Sequence, residues 1–273
     1  LYQAILPLDL HRSKPSRREE TGPAMAAEKG TALILRVTDF SETSRIVVMF
    51  SREHGRFSAL AKGGRRLKGP FESSLDLLST CDVVFLKKAS SGLDLLTEAR
   101  LVHRFRPEPN QLNALYAGYY VAELILGLTE DYDPHPEIYD EAQKLLESLA
   151  DASNLAIKLT RFELIMLREC GQLPDFETCM ACGAELTEGR LFGFWPGQGG
   201  MICPSCQRED YSQIPVHAGT AQLLRRMASN ENTTWSRLIP SPQQVKELRA
   251  VMLAAVTHTL GKRPNTLKLL RFQ

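Results

Sequence analysis

Arg45-Ile-Val-Val-Met-Phe-Ser-Arg-Glu-His-Gly-Arg-Phe-Ser-Ala-Leu-Ala61 places two apolar runs on either side of a short polar segment that ends in glycine. The runs are rich in strand-forming residues. Ser51-Arg-Glu-His-Gly55 between them has the length and composition of a turn, so the stretch predicts a β-hairpin. Working outward, Thr31-Ala-Leu-Ile-Leu-Arg-Val37 predicts a strand before the hairpin. Asp82-Val-Val-Phe-Leu86 and a run from Leu93 to Val102, joined across Ser90-Ser91-Gly92, predict two more after it. Five strands in about 75 residues, with no helical stretch of length, point to a small closed barrel of the OB type.

Beyond Pro107 and Pro109 the apolar period becomes helical. Leu112, Leu115, Tyr116, Tyr119, Ala122 and Leu126 share one face of a helix for which Asn110 is the expected N-cap. Pro134 and Pro136 introduce a second helix carrying Ile138, Ala142, Leu145 and Leu146. A third, with Ser153 as expected cap, is apolar around much of its girth and should be central to a bundle, ending near Gly171. After a Cys- and Gly-rich segment, helices return past Pro215, the last ending at Gly261.

Composition bounds the rest. The chain has 273 residues, 43% hydrophobic and 24% charged, enough for roughly two domains with real cores. Its formal charge is +1, so any nucleic-acid surface must be local rather than global. No apolar run is long enough for a membrane span. Residues 1–24 lack core-forming pattern and have the wrong order of basic and apolar residues for a secretory signal. They are expected to be a disordered extension, with Met25 a plausible start. The expected organisation is α+β and multidomain: 1–27 extension, 28–106 OB-fold barrel, and 107–273 an α-helical domain with an inserted four-Cys module at about 176–208.

Cys179-Met-Ala-Cys182 and Cys203-Pro-Ser-Cys206 stand twenty residues apart. This is the spacing of a four-thiolate zinc site. Two thiolates separated by two residues converge on one ion, and four complete a tetrahedron, so the metal (Zn²⁺) is expected to be structural. Gly183 supplies the backbone freedom that a knuckle requires. Cys81 and Cys170, in apolar contexts, read as buried inert thiols. Cysteine usage of this kind fits a reducing, cytoplasmic compartment.

Arg52, Arg56, Lys62, Arg65, Arg66 and Lys68 face one acid, Glu53, within 17 residues of a nearly neutral chain. Lys62-Gly-Gly-Arg-Arg66 follows the third strand, where a basic loop on a barrel suits a phosphate backbone. Phe57 and Phe71 lie nearby but read as core. A second basic run, Lys262, Arg263, Lys268 and Arg271, closes the chain with no acid after Glu247. His54, His103, His135, His217 and His258 are scattered. No Ser/His/Asp set, paired-carboxylate motif or P-loop is visible, so the chain does not read as an enzyme.

The order of these parts, with several local strings, resembles the RecO family of bacterial DNA repair proteins. The strings are Ala32-Leu-Ile-Leu-Arg36, Ser41-Glu-Thr-Ser-Arg45, Phe50-Ser-Arg-Glu-His-Gly55, Ala61-Lys-Gly63, Tyr119-Tyr-Val-Ala-Glu-Leu124, Phe162-Glu-Leu164 and the two Cys pairs. The chain departs from the family at Ser41-Glu42, where Gly-Glu is common. The resemblance implies a recombination mediator, not a hydrolase. It would bind single- and double-stranded DNA, anneal complementary strands, act with RecR, contact the single-strand-binding protein SSB and help load RecA, in the cytoplasm at the nucleoid. The DNA contacts it implies are Lys62, Arg65, Arg66 and Lys68, with Arg56 less central. Two other readings stay open: an RNA-binding OB-fold and zinc-ribbon factor in translation or ribosome assembly, and a nucleotidyl transferase fragment with a zinc-ribbon clamp.

Overall fold

The computed structural model describes residues 27–66, 69–71, 74–88, 93–150, 153–186, 191–209, 212–229 and 238–272. The expectations for residues 1–24 and for Lys68 lie outside the described residues.

Strands β1 (Ala27–Asp39), β2 (Arg45–Ser51), β3 (Gly55–Ala61), β4 (Thr80–Leu86) and β5 (Asp94–His103) close into a barrel in the order β1-β2-β3-β5-β4. All neighbours are antiparallel except β3 and β5, the pairing of an OB-fold. Closure depends on the length of β1. Its first half pairs with β4 and its second half with β2, and the register shifts between Ile34 and Arg36. A bulge at that point bends the strand as a small barrel requires.

The barrel interior holds Ile34, Met49, Phe57, Ala59 and Phe85 among others. Leu33, Leu35 and Phe50 point the other way and belong to the core of the helical part. This explains four consecutive buried residues, Ala32 to Leu35, in a strand whose side chains alternate between faces. Both faces of β1 are covered. Phe57 and Phe71 are buried, as their apolar surroundings in sequence suggest.

Three helices follow: α1 (Leu112–Leu128), α2 (Pro136–Ser148) and α3 (Leu155–Glu169). Twelve of the fifteen residues of α3 are buried, as expected of a central helix. Two expected caps are corrected by one position. The N-caps are Gln111, not Asn110, and Asn154, not Ser153, and neither uses its side chain. Packing of the apolar faces, rather than capping, sets where these helices begin.

The Cys-rich insertion forms a second sheet from β6 (Asp175–Cys179), β7 (Leu191–Trp195), β8 (Gly200–Ile202) and β9 (Ile214–His217), in the order β6-β8-β7-β9. Helix resumes past Pro215 as expected, at Ala218, while Pro215 itself lies within β9, a strand the sequence reading did not separate. Being at the sheet edge, β9 tolerates a residue with no N–H. Helices α4 (Ala218–Ala228) and α5 (Pro242–Leu260) complete the bundle. A reciprocal capping box between Ser241 and Gln244 starts α5, and Gly261 at φ 68° ends it. No helix among the described residues is long and apolar enough to cross a membrane.

Candidate nucleic-acid interface and metal centre

The four cysteines of the insertion converge. Cys179, at the end of β6, and Cys182 meet Cys203 and Cys206, with all four Sγ atoms within 4.8 Å of one another. Cys182 and Cys203 sulfurs are 3.9 Å apart. Sulfurs at about 2.3 Å from a tetrahedral zinc lie close to that distance from each other, so the donor set fits the ion. Gly183 has φ +73° and donates its N–H to the Cys179 carbonyl at 2.8 Å, closing the knuckle the sequence anticipates.

Electrostatics suit a cation. Burial opposes ionisation of Cys179, yet N–H groups of Cys203, Ala181 and Cys182 prevail and bring its thiol down to about 6. Cys206 goes the other way, pushed up to about 12 by hydrogen bonds with the sulfurs of Cys203 and Cys182. Four thiolates cannot share this volume without a positive charge among them. Helix α4 ties the module down: Arg225 donates from Nε to the Phe176 carbonyl at 2.6 Å and from Nη2 to the Leu186 carbonyl at 2.8 Å. By contrast, Cys81 and Cys170 are away from the cluster. Burial raises both thiols, that of Cys81 to about 11.

The basic cluster of the sequence is divided between the two ends of β3. At about 3.3 Å per residue, Arg56 and Lys62 stand roughly 20 Å apart. At the first end, Arg52 pairs with Asp140 at 3.0 Å, and Arg56 donates Nε to Asp131 at 2.7 Å and Nη1 to the Leu126 carbonyl at 2.5 Å. Tyr132 donates its N–H back to the Arg56 carbonyl at 2.7 Å. Arg56 thus joins the barrel to the segment between α1 and α2, and its guanidinium faces protein. Gly55 lets this happen. It has φ +66°, and a Cβ there would overlap the backbone of Asp133.

At the other end, Lys62, Arg65 and Arg66 are exposed in the loop after β3. Arg65 is bound to the turn between β1 and β2. It donates its N–H to the Thr43 carbonyl at 3.1 Å and Nη1 to the Ser41 carbonyl at 2.9 Å, with Asp39 3.4 Å away. Asp39 is also held by Arg45 at 3.1 Å. Lys62 and Arg66 have no ion pair among the described residues. Phe40, at this turn, is 60% exposed. Phe40 and the exposed Arg36 on β1 are additions that the sequence reading did not single out.

The closing run divides too. Lys262, Arg263, Lys268 and Arg271 are all exposed, on a segment anchored to α1. Glu123 accepts from the N–H of Asn265 at 2.7 Å and of Thr266 at 2.9 Å, and Asn113 exchanges two hydrogen bonds with the backbone of Arg271. Lys262 borders a groove with Arg36 of β1, so part of this run adjoins the barrel.

A buried polar network was not legible in the sequence. Glu163 on α3 is fully buried and accepts two bonds from Arg249 on α5, at 2.6 and 2.8 Å, and one from the Tyr120 hydroxyl on α1 at 2.5 Å. The Phe272 ring covers the guanidinium at 4.4 Å. Tyr120 and Glu163 lie in the Tyr119–Leu124 and Phe162–Leu164 strings, and with Arg249 they join three helices.

A closed OB barrel with an exposed basic tip, a helical bundle and an inserted four-thiol sheet defines a multidomain OB-fold protein with a ribbon-like module. The chain belongs to the recombination protein O family. It matches that family's N-terminal region, Recombination protein O N terminal, over residues 25–105, and Recombination protein O C terminal over residues 109–268. Among relatives, it is 40% identical to a DNA repair protein RecO from Rhodopirellula baltica, covering 72% of this chain and 74% of the relative. It is 29% identical to one from Anaeromyxobacter dehalogenans over 88% and 94%, and 28% identical to one from Bacillus pumilus over 82% and 86% of the two chains.

Proposed function

We infer that this chain is a DNA-binding recombination mediator in DNA repair, acting by binding and annealing strands rather than by catalysing bond cleavage. The observation that carries the reading is the placement of Lys62, Arg65 and Arg66 together at one end of an OB barrel, in a chain of the recombination protein O family whose relatives are named for DNA repair. Cations on a loop buttressed by a second turn hold a phosphate chain without reading its bases. Two strands repel each other through their phosphates, and a surface that neutralises both lowers the barrier to pairing. Lys68 belongs to the same loop by sequence and is included in the set. Arg56, whose guanidinium is engaged by Asp131 and Leu126, is assigned to joining barrel and bundle instead.

Zn²⁺ held by Cys179, Cys182, Cys203 and Cys206 would supply folding free energy to the second sheet. Its four sulfurs would leave no coordination position for a water or substrate, which makes its role structural. Partnership with RecR, contact with SSB and assistance to RecA loading complete the reading. The test is strand annealing of complementary oligonucleotides coated with SSB, with and without RecR. Acceleration by this protein supports the reading. No acceleration, with tighter binding to RNA than to DNA of matched sequence, would favour the RNA-binding alternative.

A further inference from the structure

Phe40 is 60% exposed at the turn between β1 and β2, where its N–H donates to the Ser44 carbonyl at 3.0 Å. The turn is fixed by backbone bonds, and the ring contributes little to the core. A single exposed aromatic is ordinary on a protein surface. The surroundings of this one are not. Arg65 ties the β3–β4 loop to the same turn, so Phe40 shares one tip with Lys62, Arg65 and Arg66.

From this tip, depressions follow β1. One is bordered by Thr38, Asp39, Arg45 and Leu77. The next, of about 320 Å³, is bordered by Arg36, Leu77, Tyr119 and Lys262. Leu77 borders both, so the two depressions adjoin along β1 between the turn that carries Phe40 and the closing basic run. Its acids are already engaged. Asp39 is held by Arg45 and Arg65, Asp76 by Arg104 at 3.1 Å, and Glu123 by Asn265 and Thr266. Among the described residues, Arg36, Lys62, Arg66 and Lys262 are exposed without an ion pair, and Glu42 at the turn is the unpaired acid.

We propose that Phe40 is a stacking platform for a base of single-stranded DNA, whose backbone runs from the Lys62–Arg66 loop along β1 to Lys262. The inference rests on the DNA-binding reading and extends it by naming an aromatic contact and a path. It joins two basic runs, far apart in sequence, into one surface. Stacking engages the π-face of a base and leaves its pairing edge free. A strand held this way remains able to find its complement, which a grip on base edges would prevent.

The test uses the full chain and a labelled oligothymidylate, with an abasic oligonucleotide of equal length as second probe. Phe40→Ala should weaken oligothymidylate binding about fivefold or more, and Phe40→Tyr should restore it. The salt dependence should not change, because stacking releases no counterions. Abasic DNA should bind the wild type and Phe40→Ala alike. Lys262→Gln should lower the salt slope. Equal binding of oligothymidylate by wild type and Phe40→Ala, or equal weakening on both probes, would overturn the stacking role, and an unchanged slope for Lys262→Gln would overturn the path. A Lys62→Gln/Arg66→Gln variant run alongside separates the two levels. If it also binds normally, the DNA reading of the tip fails. If it weakens while Phe40→Ala does not, only the stacking fails.

Discussion

Arg65 donates Nη1 to the carbonyl oxygen of Ser41 at 2.9 Å and its backbone N–H to that of Thr43 at 3.1 Å, and these bonds make one surface of two segments. Through them the loop after β3 is held against the turn after β1. With Asp39 shared between Arg45 and Arg65, the tip keeps its charge on Lys62 and Arg66, the two side chains with no ion pair among the described residues.

Replacing Glu42 by Gln should tighten DNA binding, since the unpaired acid at the turn repels phosphate. The expected gain is less than about tenfold, because an exposed charge is screened by salt. Anisotropy titration at low and high salt checks this: the gain should shrink as salt rises.

Gly55→Ala should destabilise the protein more than Gly171→Ala. Both glycines have positive φ, which costs an alanine about 1–2 kcal/mol. At Gly171 a Cβ meets nothing within 4 Å, while at Gly55 it overlaps Asp133. Urea midpoints of the two variants should differ in that order, with the larger loss at the junction of barrel and bundle.

Breaking the buried pair is expected to be costly. Arg249→Met leaves Glu163 charged, buried and unpaired, a loss of about 3–5 kcal/mol. Tyr120→Phe removes one bond to that carboxylate and should cost about 1.5–3 kcal/mol. In the double variant Glu163→Gln/Arg249→Met, much of the first loss should return. Denaturant unfolding of Arg249→Met, Glu163→Gln and the double variant measures this, and additive losses would contradict the pairing.

Much of this fold is legible in the sequence, for physical reasons that also mark the limits. The hairpin from Arg45 to Ala61 shows itself because its turn is local and its strands are apolar on at least one face. The four converging cysteines show themselves because two short spacings bring four sulfurs to one point. The fate of Arg56 does not, since its partner Asp131 comes from beyond α1, and nothing local distinguishes it from Lys62. Tyr120, Glu163 and Arg249 come from three helices, so no periodicity relates them. β9 was missed because Pro215 reads as a breaker unless the strand is known to lie at an edge.

Acid should weaken the fold through carboxylates held by hydrogen bonds. Burial of Glu247 raises its pKa, but bonds from Thr220, Gln243 and His217 outweigh this and hold it below its ordinary value. A carboxyl whose folded pKa is lowered contributes its stability in full above the unfolded value. That contribution is lost as pH falls through the ordinary carboxylate range toward the lower folded value. Urea midpoints from pH 7 to pH 3 should fall, and Glu247→Gln should flatten the profile.

Cys179→Ser should lower bound zinc well below one per chain and lower Tm, because metal binding and folding of the second sheet are one free energy. Elemental analysis of protein purified without chelator, wild type beside variant, checks this.

The most direct test of the central claim is the salt dependence of single-stranded DNA binding by Lys62→Gln/Arg66→Gln. These side chains support no other part of the described structure, so the variant should fold as the wild type does. If both cations hold phosphates, the slope of log affinity against log salt should shrink by about 1.4, at about 0.7 per lost contact. The loss should be the same for every sequence, and annealing should slow with it. An unchanged slope and unchanged affinity would contradict the account.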